Sequence, residues 1–150
     1  EPMTGELEEL TCWENQVAML MCFHRLGYKN IIAADIDDLR TADIPIVFKG
    51  TDFITIKLIS SDLCQIKEQM KNRPNNGLID YELQEKMNEK NIKRSPIVNE
   101  VEIDVAGKSI EEVRKEAINI IDNTTSCLEY EYEKPPKEMF YSWVFANGLR

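Results

Sequence analysis

Apolar positions recur at helical spacing first. Leu7, Leu10, Trp13, Val17 and Leu20 lie on one helical face. The unbroken run Val17–Phe23 adds burial on further sides. The spacing predicts a helix over 6–26, with Thr4 as its N-cap and Gly27 just past its end. The period then changes. The run from Asn30 to Ile36 reads as a buried strand, closed by Asp35, Asp37 and Asp38. Residues 44–48 read as a short extended piece entered through Pro45. Ile54, Ile56 and Leu58 alternate with Thr55 and Lys57, which predicts a strand over 52–59. A helix capped by Ser60 or Ser61 follows, with Leu63, Ile66 and Met70 as its stripe and Pro74 as its stop.

Residues 74–98 change in character. Asn72, Asn75, Asn76 and Gly77 form a loop, and a polar helix follows with only Ile79, Leu83 and Met87 as its apolar stripe. Lys86, Lys90, Lys93 and Arg94 give it local positive charge, so it reads as a mobile excursion outside the core. Val101, Ile103 and Val105 then alternate with Glu100, Glu102 and Asp104 as a strand over 99–105. Ile110, Val113, Ala117, Ile120 and Ile121 mark a helix over 110–122. In the tail, Leu128–Tyr132 alternates like a strand, Pro135-Pro136 breaks it, and 137–147 reads as a last helix. Six of the twelve aromatic residues lie between Tyr130 and Phe145, so the tail needs a surface to bury against. Strands alternating with helices predict an α/β protein with a mostly parallel sheet flanked by helices. The expected division is a core over 1–123, carrying the excursion 74–98, and a strand/helix tail over 124–150 packed on the core or on a partner.

Composition narrows the classes. Apolar residues make up 43% and charged residues 30%, as in soluble globular proteins. The longest apolar run is too short to cross a bilayer. A net charge of −9 argues against duplex nucleic acid as a partner, which calls for a basic face. Cys12, Cys22, Cys64 and Cys127 form no C-x-x-C pair, and His24 is the single histidine, so no metal site is expected. Cys12, Cys22 and Cys64 fall in apolar helical patterns, which points to buried free thiols and a cytoplasmic setting. Met19 and Met21 read as core. The start Glu1-Pro2-Met3, with no initiator methionine, reads as a chain entered part-way through a domain.

Gly107-Lys108-Ser109, between a strand and a helix, has the local order of a phosphate loop. A Walker A loop also requires a glycine five residues before Gly107, where Glu102 stands instead. A carboxylate there supplies no turn and repels phosphate. Ser109-Ile110-Glu111-Glu112 fits the capping box S-x-x-E, so Ser109 is expected to start a helix.

Three stretches carry a resemblance over residues 1–122. "DFITIKLISSDLCQIKEQMKNR", "NNGLIDYELQEKMNEKNIKR" and "NEVEIDVAGKSIEEVRKEAINII" are similar, in that order, to the C-terminal half of P-loop small-molecule and nucleotide kinases, the shikimate, adenylate and cytidylate kinases among them. The stretch from Asp52 resembles their strand and capped helix ending in a lid arginine. The stretch from Asn75 resembles a lid segment, and the one from Asn99 resembles the last strand, its turn and the terminal helix. The resemblance implies a nucleotide-dependent phosphotransferase seen as its C-terminal portion, taking ATP, Mg2+ and a small-molecule acceptor. It implies Arg73 and Arg94 as the catalytic lid arginines, and Val105, Ala106, Gly107 and Lys108 as the turn bordering the base. It also sets Glu1 and Trp13 near the substrate. The family's phosphate loop and magnesium carboxylate would precede Glu1, so the chain is either part of a kinase or a kinase-like fold that transfers no phosphate. The reading from a different class is a non-catalytic α/β interaction module, with the aromatic tail as its contact or self-association surface.

Overall fold

The computed structural model describes residues 5–34, 36–72 and 80–142. It is an α/β protein with a small two-stranded parallel sheet. The chain divides into two compact units, one of residues 1–47 with 134–150, the other of residues 48–133.

In the first unit, α1 (Gly5–Arg25) follows the predicted period, and its inward face carries Glu9 and Trp13. Met19 and Phe23 are exposed, so the apolar run at its end is less enclosed than its composition suggests. Two single-turn helices follow, α2 (Asp38–Thr41) and α3 (Ile44–Val47). Asp37 caps α2 by accepting from Leu39 N–H. The extended piece expected at 44–48 is therefore a helical turn, with buried Pro45 in its first turn, where proline's missing N–H costs no helical bond.

The strand expected at 30–36 does not form among its described residues. The described residues there run without a sheet partner, and Ile32 is 79% exposed. Gln16 Nε2 donates to Ala34 O at 3.0 Å, a single side-chain tie from α1. The tail also differs: 128–132 is not a strand, and the described part of 137–147 holds one 3-10 turn, Lys137–Met139. Phe140 is buried, and Tyr141 exchanges backbone contacts with α2. Its N–H donates to Asp38 Oδ2 at 2.7 Å, and its carbonyl accepts from Leu39 N–H at 3.1 Å.

In the second unit, β1 (Thr55–Ile59) and β2 (Glu100–Asp104) pair in parallel, in register from Thr55 opposite Glu100 to Ile59 opposite Asp104. Parallel neighbours need a long crossover. Here it contains α4 (Leu63–Lys71) and α5 (Tyr81–Lys93). Ile103 is fully buried, with Ile59 and Met70 also in the core. α6 (Ile110–Asn123) follows β2.

The end of the crossover belongs to the core rather than to a mobile excursion. Asn88, Arg94 and Ile97 are buried. Asn88 makes two bonds with Ser60 at the end of β1: its Oδ1 accepts from Ser60 N–H at 2.9 Å, and its Nδ2 donates to Ser60 O at 2.7 Å. One turn on, Lys57 Nζ donates to Asn91 O at 2.9 Å and pairs with Glu102 at 2.8 Å. A carboxamide satisfies backbone donor and acceptor together, so polar residues hold this helix where an apolar stripe is thin.

Candidate functional site

The carboxyl ends of parallel strands are where α/β sheets place ligands, because the chain turns away there and leaves backbone groups to address. In the second unit those ends carry Ser60-Ser61-Asp62 after β1 and Val105-Ala106-Gly107-Lys108 after β2. One carboxylate joins them. Asp104 Oδ1 accepts from Ser61 N–H and from Ala106 N–H, both at 3.0 Å. Its bonds with Ser61, and that with Ala106, hold the Asp104 carboxyl below its ordinary pKa.

The turn is built stiff. Val105 N–H donates to Ile59 O at 2.8 Å, and Lys108 N–H to Val105 O at 3.1 Å. Gly107 N–H donates to Oε1 of Gln65, on α4, at 2.7 Å. Gly107 has φ +70, a conformation that disfavours any side chain there. Ser109 N–H donates to Glu112 Oε2 at 2.7 Å, and Ser109 Oγ accepts from Glu112 N–H. That is the expected capping box, and it makes Ser109 the N-cap of α6. The Ser109 contacts lower the Glu112 pKa. Lys108 Nζ reaches Glu116 at 2.5 Å.

From Val105 to Ser109, every N–H is thus spent within the chain. On the other side, Asp62 caps α4 by accepting from the N–H groups of Cys64 and Gln65, so the start of that helix already holds a carboxylate.

Arg94 is placed differently from a lid arginine. Its Nη1 and Nη2 fork onto Glu100 at 2.9 and 2.7 Å, with both side chains 1% exposed. Glu100 Oε2 also accepts from Ile97 N–H at 3.1 Å. The pair closes the loop between α5 and β2, and a phosphate contact by Arg94 would require it to open. Trp13 is a buried core residue of the first unit. Glu1 and Arg73 lie outside the described residues. Of the expected site residues, Val105, Ala106, Gly107 and Lys108 lie on the described turn after β2.

No family model, no curated protein and no solved structure matches this chain.

Asp104, Gln65 and Asn88 organise these strand ends, and sequence reasoning assigned none of them a role. Gln65 reads as one more polar position on an amphipathic helix, and nothing local marks it. Asn88 carried a usable signal: a polar residue next to Met87 on the stripe of a helix with few apolar positions. Among the described residues, no group of three or more His, Cys, Asp or Glu could hold a metal ion. Cys12 and Cys64 are exposed and Cys22 is half-buried, contrary to the buried thiols expected. No helix among the described residues is long and apolar enough to cross a membrane.

Proposed function

We propose that residues 48–133 form the base-binding half of a nucleotide-dependent phosphotransferase of the P-loop kinase type. The observation that carries this reading is the stiff turn 105–108, set at the carboxyl ends of two parallel strands and tied to both through Asp104. A turn whose shape is fixed beforehand binds a flat base without first having to be ordered. The strand–helix–helix–strand order around it agrees with the kinase resemblance.

The fit to ATP is partial. The turn suits the base. The triphosphate finds no Walker A sequence in the 150 residues, and among the described residues no group of three or more His, Cys, Asp or Glu could hold a metal ion. Phosphoryl transfer on this reading needs a phosphate loop from residues other than these. Arg73 is the remaining candidate for stacking on the base or forking to phosphate, while Arg94 fixes the end of α5.

The non-catalytic reading draws its contact surface from the aromatic tail. Phe140 is already buried and the Tyr141 backbone already bonded to α2, which leaves that surface smaller than its composition suggests.

ATP at millimolar concentration is expected to raise the melting temperature through binding to the folded chain. Arg73→Ala is expected to lose most of that rise. No rise with ATP in the unaltered chain would overturn the proposal.

A further inference from the structure

Hydroxyls with a carboxylate three residues downstream stand at Thr11, Ser109 and Ser126, ahead of Glu14, Glu112 and Glu129. An acid-directed protein kinase reads that spacing: its basic cleft takes the carboxylate while the acceptor hydroxyl meets the terminal phosphate of ATP. The acceptor must also lie on chain that can extend into the cleft. The fold separates the three. Thr11 is inside α1, and its Oγ1 donates to Leu7 O at 2.7 Å. Ser109 caps α6, and its Oγ donates to Glu112 Oε2 at 2.7 Å, so acceptor and carboxylate hold each other. Ser126 lies where the chain runs without helix or strand from 124 to 136, and Glu129 and Glu131 beyond it are exposed.

The irregular segment 124–130 is docked all the same. Ser126 Oγ donates to Asp52 Oδ1 at 2.6 Å, just before β1. Asn99, just before β2, holds Cys127 by both backbone groups: its Oδ1 accepts from Cys127 N–H at 2.8 Å, and its Nδ2 donates to Cys127 O at 3.0 Å. Lys49 Nζ sits 5.8 Å from the centre of the Tyr130 ring. The ties to Asp52 and Asn99 lie at the amino ends of the two strands, away from the turn 105–108 at their carboxyl ends, so the segment is independent of the proposed base site. A single surface hydrogen bond holds the Ser126 hydroxyl, so it opens to an enzyme without global unfolding.

We propose that Ser126 is a phosphorylation site for an acid-directed protein kinase, and that the phosphoryl group releases 124–130 from the amino ends of β1 and β2. In the transfer, Ser126 Oγ bonds to the terminal phosphorus of ATP, the bond from that phosphorus to the ADP oxygen breaks, and the hydroxyl proton passes to the kinase's base. Ser126 then has no proton to give Asp52. A charge of about −1.5 to −2 faces the Asp52 carboxylate instead. The contact that fastened the segment becomes a repulsion, and the neighbouring bonds between Asn99 and Cys127 carry the load alone.

The full chain is incubated with ATP, magnesium and a purified kinase of this specificity, beside a sample without the kinase, and the modified residue is located by peptide mass spectrometry. Ser126 is expected to be modified first. Ser126→Ala is expected to lose most of the modification and Ser109→Ala to keep it. Cys127 amide exchange, read by NMR, is expected to speed up by about fivefold or more in the phosphorylated chain. In Asp52→Asn an amide can donate to the phosphoryl oxygens, and the same modification is expected to change that exchange by no more than about twofold. Modification of Ser109 or Thr11 ahead of Ser126, or none from a kinase that labels a control peptide, would overturn the site. Modification of Ser126 that leaves Cys127 exchange unchanged, slows it, or speeds it equally in Asp52→Asn would overturn the release.

Discussion

Residues 30–36 and 99–105 read alike as strands; the second holds β2, and the described residues of the first form none. Both carry β-branched aliphatic residues and have aspartate at or near their C-terminal end. Glu100–Asp104 has β1 beside it in parallel register, and its Ile103 is fully enclosed. The earlier run has no sheet partner among the described residues, and Ile32 stands in solvent. The difference teaches that a strand's hydrogen bonds come from a neighbour, so side-chain pattern is a necessary sign and not a sufficient one. The described residues of the first region have a side-chain tie from Gln16 to Ala34, whereas the second and its neighbours are tied by Arg94 to Glu100, Asn88 to Ser60, and Lys57 to Asn91 and Glu102.

These ties give the comparison its sharpest test. Glu100→Ala would leave the buried Arg94 guanidinium without its carboxylate and is expected to destabilise the second unit by about 3–5 kcal/mol in urea unfolding. A loss under 1 kcal/mol would mean that the pair is solvated in solution. Ile103→Ala removes a fully enclosed side chain and is expected to cost about 2–4 kcal/mol, read the same way. Asn88→Ala is expected to cost about 2 kcal/mol and to speed amide exchange at Ser60, since two backbone groups lose their partner.

How much of this could be read beforehand follows from the same physics. The helices α1, α4 and α6 carry their own signals in period and caps, and Ser109 with Glu112 announced its capping box outright. The pair β1 and β2 was legible as two strands in a parallel sheet. The single turns at Asp38–Thr41 and Ile44–Val47 were not, because four residues are too few to show a period. The turn 105–108 came into view through family resemblance. Its stiffness did not, since it depends on Asp104 meeting Ser61 and on Gln65 meeting Gly107, across 43 and 42 positions of sequence. Arg94 read as part of a positive cluster and as a lid arginine for the matching reason: its partner Glu100 is one polar position of an alternating strand until the fold brings the two together.

A smaller effect concerns acid. The Asp104 carboxyl is held below its ordinary pKa in the folded chain, so its contribution to stability is present above the unfolded value of about 3.9 and is lost as pH falls through the lower folded value. Stability is expected to decline as pH drops from about 5 towards 3, and Asp104→Asn is expected to make that decline shallower. Glu111 and Glu112 are lowered too, by Arg114 and Ser109, and keep part of the slope in the variant. An unchanged slope in Asp104→Asn would deny the carboxylate its part in joining the strand ends. The smallest effect belongs to the strand that did not form: Ile32→Ser is expected to change stability by no more than about 0.5 kcal/mol. A larger loss would show that 30–36 is buried after all.

The most direct measurement is an amide NMR titration of the chain with ATP. The account predicts signal changes centred on Ser61 and on Asp104 to Lys108, saturating together with one affinity. Changes centred elsewhere, or none at all with the chain folded, would contradict it.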